Sequence, residues 1–111
     1  MLHVIRRDEV SAPSTRTVEL EGEPYNAGIS VILVDNDPGQ GPALHVHPYP
    51  ETWIVRSGRA LMRAGDKEIA AGPGDIVVVE RDTPHGFRNP GPTRLEIVCI
   101  HAAERMVTKW L

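Results

Sequence analysis

The chain has 111 residues, a formal net charge of −3 and 41% hydrophobic residues. This length fits a single domain with its own core, and the charge gives no reason to expect nucleic acid or an anionic membrane as a partner. A single cysteine, Cys99, excludes an internal disulfide, and the longest apolar runs fall far short of the roughly 20 residues of a membrane helix. We therefore expect a cytoplasmic protein that binds neither nucleic acid nor membrane.

The first 27 residues predict an arm followed by a first short strand. Val4–Ile5 is a small apolar patch, and the chain then turns charged and rich in serine and proline up to Thr15. Thr17–Leu20 is a candidate strand, and the glycine, proline and asparagine of Gly22–Asn26 are typical of a turn. We expect residues 1–27 to pack late or to pair with a neighbouring subunit.

The middle of the chain alternates short apolar runs with turn residues. The predicted strands are Ile29–Val34, Ala43–His47, Thr52–Val55, Arg59–Arg63, Glu68–Ala71, Asp75–Glu80, His85–Arg88 and Thr93–His101. Ile29–Val34 is apolar nearly throughout, which indicates burial on both faces. About nine or ten short strands, with turns every 6 to 12 residues or so, predict an all-β sandwich or barrel.

The final segment, residues 102–111, has helical spacing. Apolar side chains recur there at intervals of one, four and five residues, at Met106, Val107, Trp110 and Leu111. We predict a short C-terminal helix that packs on a β barrel formed by residues 28–101, so that the chain makes one domain overall.

Two histidines and a carboxylate mark the most informative stretch, which runs from Gly39 to Gly58. Side chains at alternate positions of an extended strand share a face, so His45 and His47 project together, with Cα atoms roughly 6.5–7 Å apart. Two imidazoles at this separation can bind one metal ion. Glu51 has the same parity if the chain stays extended, although two intervening prolines place this part at an edge, a bulge or a short turn.

A second stretch, from Gly74 to Asn89, adds a third histidine. The β-branched run Ile76–Val79 is followed by polar residues and then by Pro84 and His85. This order predicts strand, turn and strand. The turn returns the chain, so that His85 can meet the earlier histidines inside one fold.

These two stretches resemble the paired motifs of the cupins, GX5HXHX3EX6G and GX5PXGX2HX3N, over about residues 28–101. The first motif matches at every defined position, at Gly39, His45, His47, Glu51 and Gly58. The second matches at Gly74, His85 and Asn89 and departs at the PXG step, which is here Glu80, Arg81 and Asp82. Glycine at that step usually allows positive φ, and aspartate tolerates it better than most residues. We expect the turn before His85 to survive with altered detail.

The resemblance implies a jelly roll, or double-stranded β-helix, that pairs as a homodimer by sharing strands, with the N-terminal arm as a candidate swap element. It also implies one divalent transition metal per chain, held by His45, His47, Glu51 and His85. Nitrogen and oxygen ligands together suit iron, manganese, nickel, cobalt, copper or zinc. The alternative is a surface strand with two solvated histidines and an unrelated glutamate.

Other residues have two interpretations each. His101 shares the parity of Cys99 on the last strand and is either a proton-carrying pocket residue or a histidine bonded to backbone. Trp53 and Phe87 either line an apolar substrate pocket or belong to the core. Cys99 could also line the pocket, but a small core residue is the favoured interpretation over a nucleophile.

Three functions are open at this point. The favoured one is a metal-dependent enzyme acting on a small organic molecule, with dioxygenase-like oxidation ahead of isomerase or lyase chemistry. Glu51 could then also serve as a general base. The second is a non-catalytic module that binds a small ligand, since a fold alone does not define a function. The third is a structural barrel around a closed, tetrahedral zinc.

Overall fold

The computed structural model describes residues 1–10 and 16–111, which form two antiparallel sheets of five strands each. In chain order the strands are β1 (Val18–Leu20), β2 (Ser30–Asn36), β3 (His45–Val46), β4 (Glu51–Ser57), β5 (Ala60–Ala64), β6 (Lys67–Ala71), β7 (Ile76–Val79), β8 (His85–Arg88), β9 (Leu95–His101) and β10 (Lys109–Trp110). The predicted all-β jelly roll, a double-stranded β-helix, is confirmed.

The two sheets differ in how extensively their strands pair. The first sheet has the order β1-β2-β9-β4-β7, and its central strands β2, β9 and β4 have seven residues each. The second has the order β10-β3-β8-β5-β6, and its strand β3 has only two residues. β3 meets β8 through the single residue pair His45 and His85. The first sheet is therefore the more continuous wall, and the second contains the short strands β3 and β8.

The core lies between the sheets and is built from alternate positions of the long strands. On β9, for example, Leu95, Ile97 and Cys99 are buried while Glu96 is exposed. Such alternation is expected where one face of a sheet is covered. The buried apolar cluster consists of Val34, Trp53, Val55, Ala60, Met62, Ala71, Val79, Phe87, Leu95, Ile97 and Cys99.

The outer face of the first sheet is apolar, which corrects one expectation. Ile29–Val34 was expected to be buried on both faces, but Leu33 is 45% exposed. Cross-strand register places apolar residues beside it on every strand of this sheet. We call this surface the outer apolar face, and it comprises Val18, Leu20, Val31, Leu33, Ile54, Ile76, Val78, Val98 and Ile100.

The predicted C-terminal helix is wrong, because Lys109–Trp110 forms β10. Lys109 pairs with Val46 and Trp110 with His45, and the Leu111 N–H donates to the Leu44 carbonyl at 3.1 Å. A helix of about ten residues is marginal on its own. Pairing with the two-residue strand β3 satisfies backbone groups that would otherwise lie on an open sheet edge.

Two turns show how the motif positions work. Gly58 has φ of +79°, and a Cβ there would lie 2.1 Å from the Arg94 carbonyl oxygen, so only glycine fits. Asp82 stands at the step where the resemblance expects glycine, and its φ is +61°. Its N–H donates to the His47 carbonyl at 2.9 Å. The expectation that the turn survives with aspartate is confirmed.

The N-terminal residues contain a four-residue helix, α1 (Arg7–Val10), that the sequence did not predict. A 3₁₀ turn, Glu23–Tyr25, follows β1 and ends at Asn26, which has a left-handed conformation. Part of the predicted arm, residues 11–15, lies outside the described residues. Among the residues described, no helix has the length and apolar character needed to cross a bilayer.

Candidate metal centre

Two cross-strand pairs, one on each sheet, meet inside the barrel. On the second sheet His45 lies directly opposite His85, and on the first sheet Glu51 lies directly opposite His101. His47 completes the group. All five side chains are buried, with exposures between 2% and 6%.

The chain supplies both sheets by crossing between β3 and β4. Every second residue from His45 to Val55 is buried, and this alternation continues through the crossing segment that contains Pro48 and Pro50. The prolines end β3 because they cannot donate to a ladder. Glu51 nevertheless keeps the parity of the histidines, as the sequence predicted.

Glu51 lies at the centre of the group. Its Oε1 is 3.0 Å from His85 Nε2 and 3.1 Å from His47 Nε2. Its Oε2 accepts a hydrogen bond of 2.8 Å from Trp53 Nε1–H and lies 3.2 Å from His101 Nε2. One candidate ligand atom from each of four residues falls within 4.8 Å of all the others, in His45, His47, Glu51 and His85.

The three candidate ligand histidines share one tautomer. Each Nδ1 meets a backbone carbonyl oxygen, which is Ala43 for His45 at 2.6 Å, Thr83 for His85 at 2.7 Å and Val107 for His47 at 2.8 Å. A carbonyl only accepts, so each Nδ1 carries a hydrogen and donates it. A neutral ring would then present its Nε2 lone pair to a metal, whereas in the metal-free chain His85 Nε2 is hydrogen-bonded to Glu51 Oε1 at 3.0 Å.

This donor set fits a divalent transition metal. His47 Nε2 is buried and has no hydrogen-bond partner among the described residues, which is costly unless a ligand occupies it. The Oε1 separations of 3.0 and 3.1 Å bring the carboxylate oxygen and two Nε2 atoms within reach of one metal ion with bonds of about 2.1 Å. Four protein ligands would leave two octahedral positions open.

The electrostatics of the metal-free group favour an ionised carboxylate. Burial alone would raise the pKa of Glu51, but contacts with His101, His47 and His85 outweigh it and hold that pKa well below its usual range. Burial lowers the pKa of His45. For His47 burial acts in the same direction, but the contact with Glu51 and the Val107 carbonyl reverse it and raise the pKa. The centre is therefore an anionic oxygen surrounded by imidazoles.

A cavity of about 480 Å³ opens onto this group. His45, His47 and His101 form part of its lining. Amides of Asn36 and Gln40 contribute polar groups to the wall. The C-terminal segment adds three further side chains, Met106, Thr108 and Trp110. No lysine or arginine is among the described residues that line the cavity.

The structure places Trp53, Phe87 and Cys99 in both the apolar core and the cavity wall. The two interpretations made from sequence are therefore not exclusive. Burial raises the pKa of the Cys99 thiol, which keeps it protonated and makes it a poor nucleophile. Contact of these side chains with a substrate stays a prediction.

Sequence reasoning missed Tyr49, Val107 and Trp110. Tyr49 lies between His47 and Glu51 with the same parity, and that parity alone could have identified it as an inward residue. Val107 contributes only a carbonyl oxygen, and the Trp110 ring lies 4.8 Å from that of His45. Neither could be placed while the segment was expected to be helical.

A jelly roll with three histidines and a glutamate converging beneath a cavity defines a class of small metal-binding barrels. Residues 32–101 match the cupin domain model, which covers most of the chain. The chain therefore belongs to the cupin family. No functionally curated protein sequence matches it.

Solved structures with this fold include enzymes. An oxalate oxidase superposes with a TM-score of 0.79 at 20% identity over 98% of this chain and 63% of that chain. A mutant of oxalate decarboxylase from Bacillus subtilis superposes with a TM-score of 0.77 at 22% identity, over 86% of this chain and 27% of that chain. An uncharacterized protein from Klebsiella pneumoniae with a double-stranded β-helix domain superposes with a TM-score of 0.74 at 28% sequence identity. The match covers 96% of this chain and 89% of that chain. The chain spans less than two thirds of either oxalate enzyme, and the likeness to them is one of fold.

Proposed function

We propose that this protein is a metal-dependent enzyme acting on a small organic molecule, with dioxygenase-like oxidation favoured over isomerase or lyase chemistry. The observation that carries the proposal is the position of the four ligand-type residues beside a cavity that His45 and His47 help to line. A metal there would supply Lewis acidity and, as iron or manganese, redox capacity towards dioxygen. Two open positions suit a substrate and dioxygen side by side.

The residues of the chain would divide the work. His45, His47 and His85 present Nε2 in a tautomer set by backbone carbonyls. Glu51 presents Oε1, and its other oxygen is held by the Trp53 indole. A general-base role for Glu51 would require release of that hydrogen bond, so we assign Glu51 as a ligand first.

The cavity favours a substrate of low charge. Its described lining contains no lysine or arginine, and Glu19 adds an acidic group. A dicarboxylate such as oxalate would bury two negative charges with the metal as the one positive partner, and unpaired buried charge is costly. Trp53 and Phe87 offer apolar surface and Asn36 and Gln40 offer amide hydrogen bonds. We propose a small aromatic or enolic substrate.

The cavity weighs against one competing function, because a structural zinc in a closed tetrahedron would need no cavity. A non-catalytic module could use the same cavity and metal. Experiment separates it from an enzyme.

The test begins with protein purified without chelators or an affinity tag. Elemental analysis, followed by anaerobic loading with Fe(II) or Mn(II), is expected to give about one metal per chain. Oxygen consumption is then measured with a panel of aromatic diols and enols, with oxalate as the contrasting dianion. We expect turnover of at least one low-charge compound and none of oxalate.

His47→Ala is the matched control, because it removes one ligand and keeps the barrel. It should take up no metal and consume no oxygen, while its circular dichroism stays that of the wild type. A compound that raises the wild-type Tm without being turned over supports the binding module instead. Stoichiometric zinc that will not exchange, or activity of metal-free His47→Ala, contradicts the proposed function.

We also propose that the protein is a homodimer formed through the outer apolar face. Leu33, Ile76 and Val78 are 45–65% exposed there, and exposed apolar patches of this kind mark interaction sites. Arg56 and Glu96 are exposed on the same side of this sheet. Opposite charges on a self-complementary surface suit a two-fold contact with a second copy.

Light scattering coupled to gel filtration tests the dimer. Leu33→Glu should convert it to monomer, because a buried unpaired charge is costly. Ile69→Glu is the control, since Ile69 is 61% exposed on the other sheet and should have no effect. A monomeric wild type contradicts the assembly and leaves the metal site untouched.

A further inference from the structure

Tyr49 and His101 form a second layer behind Glu51, outside the four ligand-type residues. Both are buried, with exposures of 6% and 2%. Tyr49 Oη lies 2.6 Å from His101 Nδ1, and the Tyr49 ring stacks on that of His47 with centroids 5.0 Å apart. His101 Nε2 has no hydrogen-bond partner within the described part of the chain. An unpartnered nitrogen beside a candidate metal site is either a further ligand or a hydrogen-bond donor.

The hydrogen bonds of Tyr49 decide between these two roles. The Val107 N–H donates to Tyr49 Oη at 3.2 Å, so the phenol oxygen already accepts one hydrogen bond. A buried hydroxyl hydrogen needs an acceptor, and among the described contacts His101 Nδ1 is the one that is offered. Tyr49 therefore donates to Nδ1, and the neutral His101 ring carries its hydrogen on Nε2.

His101 thus has the opposite tautomer to the three candidate ligands. A protonated Nε2 has no lone pair for a metal, which excludes His101 as a fifth ligand in this state. Its Nε2 approaches Glu51 Oε2 at 3.2 Å, and the same oxygen accepts the Trp53 indole N–H at 2.8 Å. Two N–H groups therefore converge on Oε2, while Oε1 lies beside the imidazoles of His47 and His85.

We propose that Tyr49 and His101 are positioning residues of the metal site. Tyr49 holds His101 in the Nε2–H tautomer, and His101 acts with Trp53 to orient Glu51 so that Oε1 alone is the ligand atom. The inference rests on the proposed function, since it takes Glu51 as a ligand. The 3.2 Å approach is not aligned as a hydrogen bond, and a small rotation of the carboxylate on metal binding would align it.

The tautomers are tested first, in metal-free wild-type protein. Long-range proton–nitrogen correlation spectra at about pH 8, above the usual histidine pKa of about 6.5, report which ring nitrogen is protonated. We expect a proton on Nε2 alone for His101, and a proton on Nδ1 for His45, His47 and His85. A His101 ring protonated on Nδ1 would overturn the proposal.

Metal affinity tests the consequence, with Mn(II) as the probe and chelator competition as the measurement. Tyr49→Phe removes one hydroxyl group, and His101→Leu removes the ring; each should weaken Mn(II) binding about ten- to a hundredfold. His101→Gln keeps an amide N–H near the position of Nε2 and should recover most of the loss. Tyr25→Phe, in the 3₁₀ turn, is the matched control and should bind Mn(II) like the wild type.

Three results separate positioning from a merely structural role. The double variant Tyr49→Phe/His101→Leu should bind Mn(II) no more weakly than His101→Leu, because Tyr49 acts through His101. The Mn(II) paramagnetic resonance spectrum should change in His101→Leu and return in His101→Gln. Pulsed measurements on the loaded wild type should count three coordinated imidazoles.

Additive losses or a fourth coordinated imidazole would overturn the positioning role. A wild-type protein that binds no metal would instead contradict the proposed function. In that case the tautomer of His101 in the metal-free protein still decides whether Tyr49 controls it.

Discussion

His45 and His85 on the second sheet occupy the same kind of cross-strand position as Glu51 and His101 on the first. In the second-sheet pair both Nδ1 atoms are bonded to a carbonyl two residues earlier in the chain. In the first-sheet pair the Nδ1 of His101 is bonded to the hydroxyl of Tyr49, 52 residues away. A carbonyl can only accept, whereas a hydroxyl can also donate.

All three histidines are buried on paired strands, and they differ in the group that each Nδ1 contacts. The second-sheet pair carries its own acceptors within each local turn, so its tautomer is built into the local chain. The first-sheet pair depends on a long-range contact that is assembled only when both sheets are in place. The following predictions test this contrast between the two pairs and the two sheets.

Removing a second-sheet histidine should have the largest effect. His45→Ala deletes a proposed ligand, so Mn(II) affinity should fall more than the about ten- to hundredfold loss expected for a residue that only supports a ligand, such as His101. Chelator competition measures both variants. His3→Ala is the control, because His3 is exposed near the N-terminus. Equal losses for His45→Ala and His101→Leu would remove the distinction between the two pairs.

In acid, the metal should be released because the histidines are protonated, and not because Glu51 is protonated. Burial opposes ionisation of Glu51, but its histidine contacts keep its pKa well below the usual range, so it stays ionised in mild acid. Burial lowers the pKa of His47, but the contact with Glu51 and the Val107 carbonyl together raise it by more, so His47 takes up a proton at higher pH than an ordinary histidine. Because a protonated ring cannot bind metal, retention should fall as pH drops through about 6.5.

Paramagnetic resonance can measure the amount of bound Mn(II) as a function of pH and so test whether retention falls on acidification. The loss should be reversible when the pH is raised again. Retention that stays flat down to about pH 4 would mean that groups other than these histidines hold the metal.

Packing of the first sheet should matter more for stability than the edge of the second. Leu95, on the strand of His101, is 0% exposed, and Leu95→Ala should lower the free energy of unfolding by about 2–5 kcal/mol. Ile69, on the edge strand β6, is 61% exposed, and Ile69→Ala should change it by less than about 0.5 kcal/mol. Urea unfolding of metal-free protein gives both values. Similar costs would show that the second-sheet edge is covered in solution.

The turn that precedes His85 should give the smallest effect. Asp82→Ala places a β-carbon without a local hydrogen-bonding side chain at φ of +61°, which should cost about 1 kcal/mol. Asp82→Gly should cost less or stabilise, because glycine adopts positive φ freely. Urea unfolding compares the two variants, with Asp66→Ala in an exposed turn as a control. A larger loss for glycine would point to a contact of the Asp82 side chain.

Much of the candidate site could be predicted because several of its residues lie close together in sequence at alternate positions. Alternation placed His45, His47 and Glu51 on one side of the chain, and motif spacing added His85. The same rule would have included Tyr49, which has the parity of its neighbours. The role of its hydroxyl could not be read from local spacing, because its partner, His101, is 52 residues away.

Long-range pairing explains the elements that were predicted wrongly. The apolar spacing of residues 106–111 fits a helix, but the segment pairs as β10 with β3, about 60 residues earlier in the chain. The burial of Ile29–Val34 on both faces also failed, because apolar composition does not say whether the outer face of a sheet is covered. Both features depend on packing between elements that are remote in sequence.

Side-chain alternation and turn residues act over a few positions, so the sequence alone predicted an all-β sandwich or barrel. Its resemblance to the cupin motifs added the jelly roll and the four ligand-type residues. The tertiary structure alone supplied the Nδ1 partners of His47 and His101, whereas those of His45 and His85 are local. It also placed Val107 beside His47 and Tyr49 beside His101, and made Met106, Thr108 and Trp110 part of the cavity wall. Those features depend on hydrogen bonds between strands that only meet when the two sheets pack together.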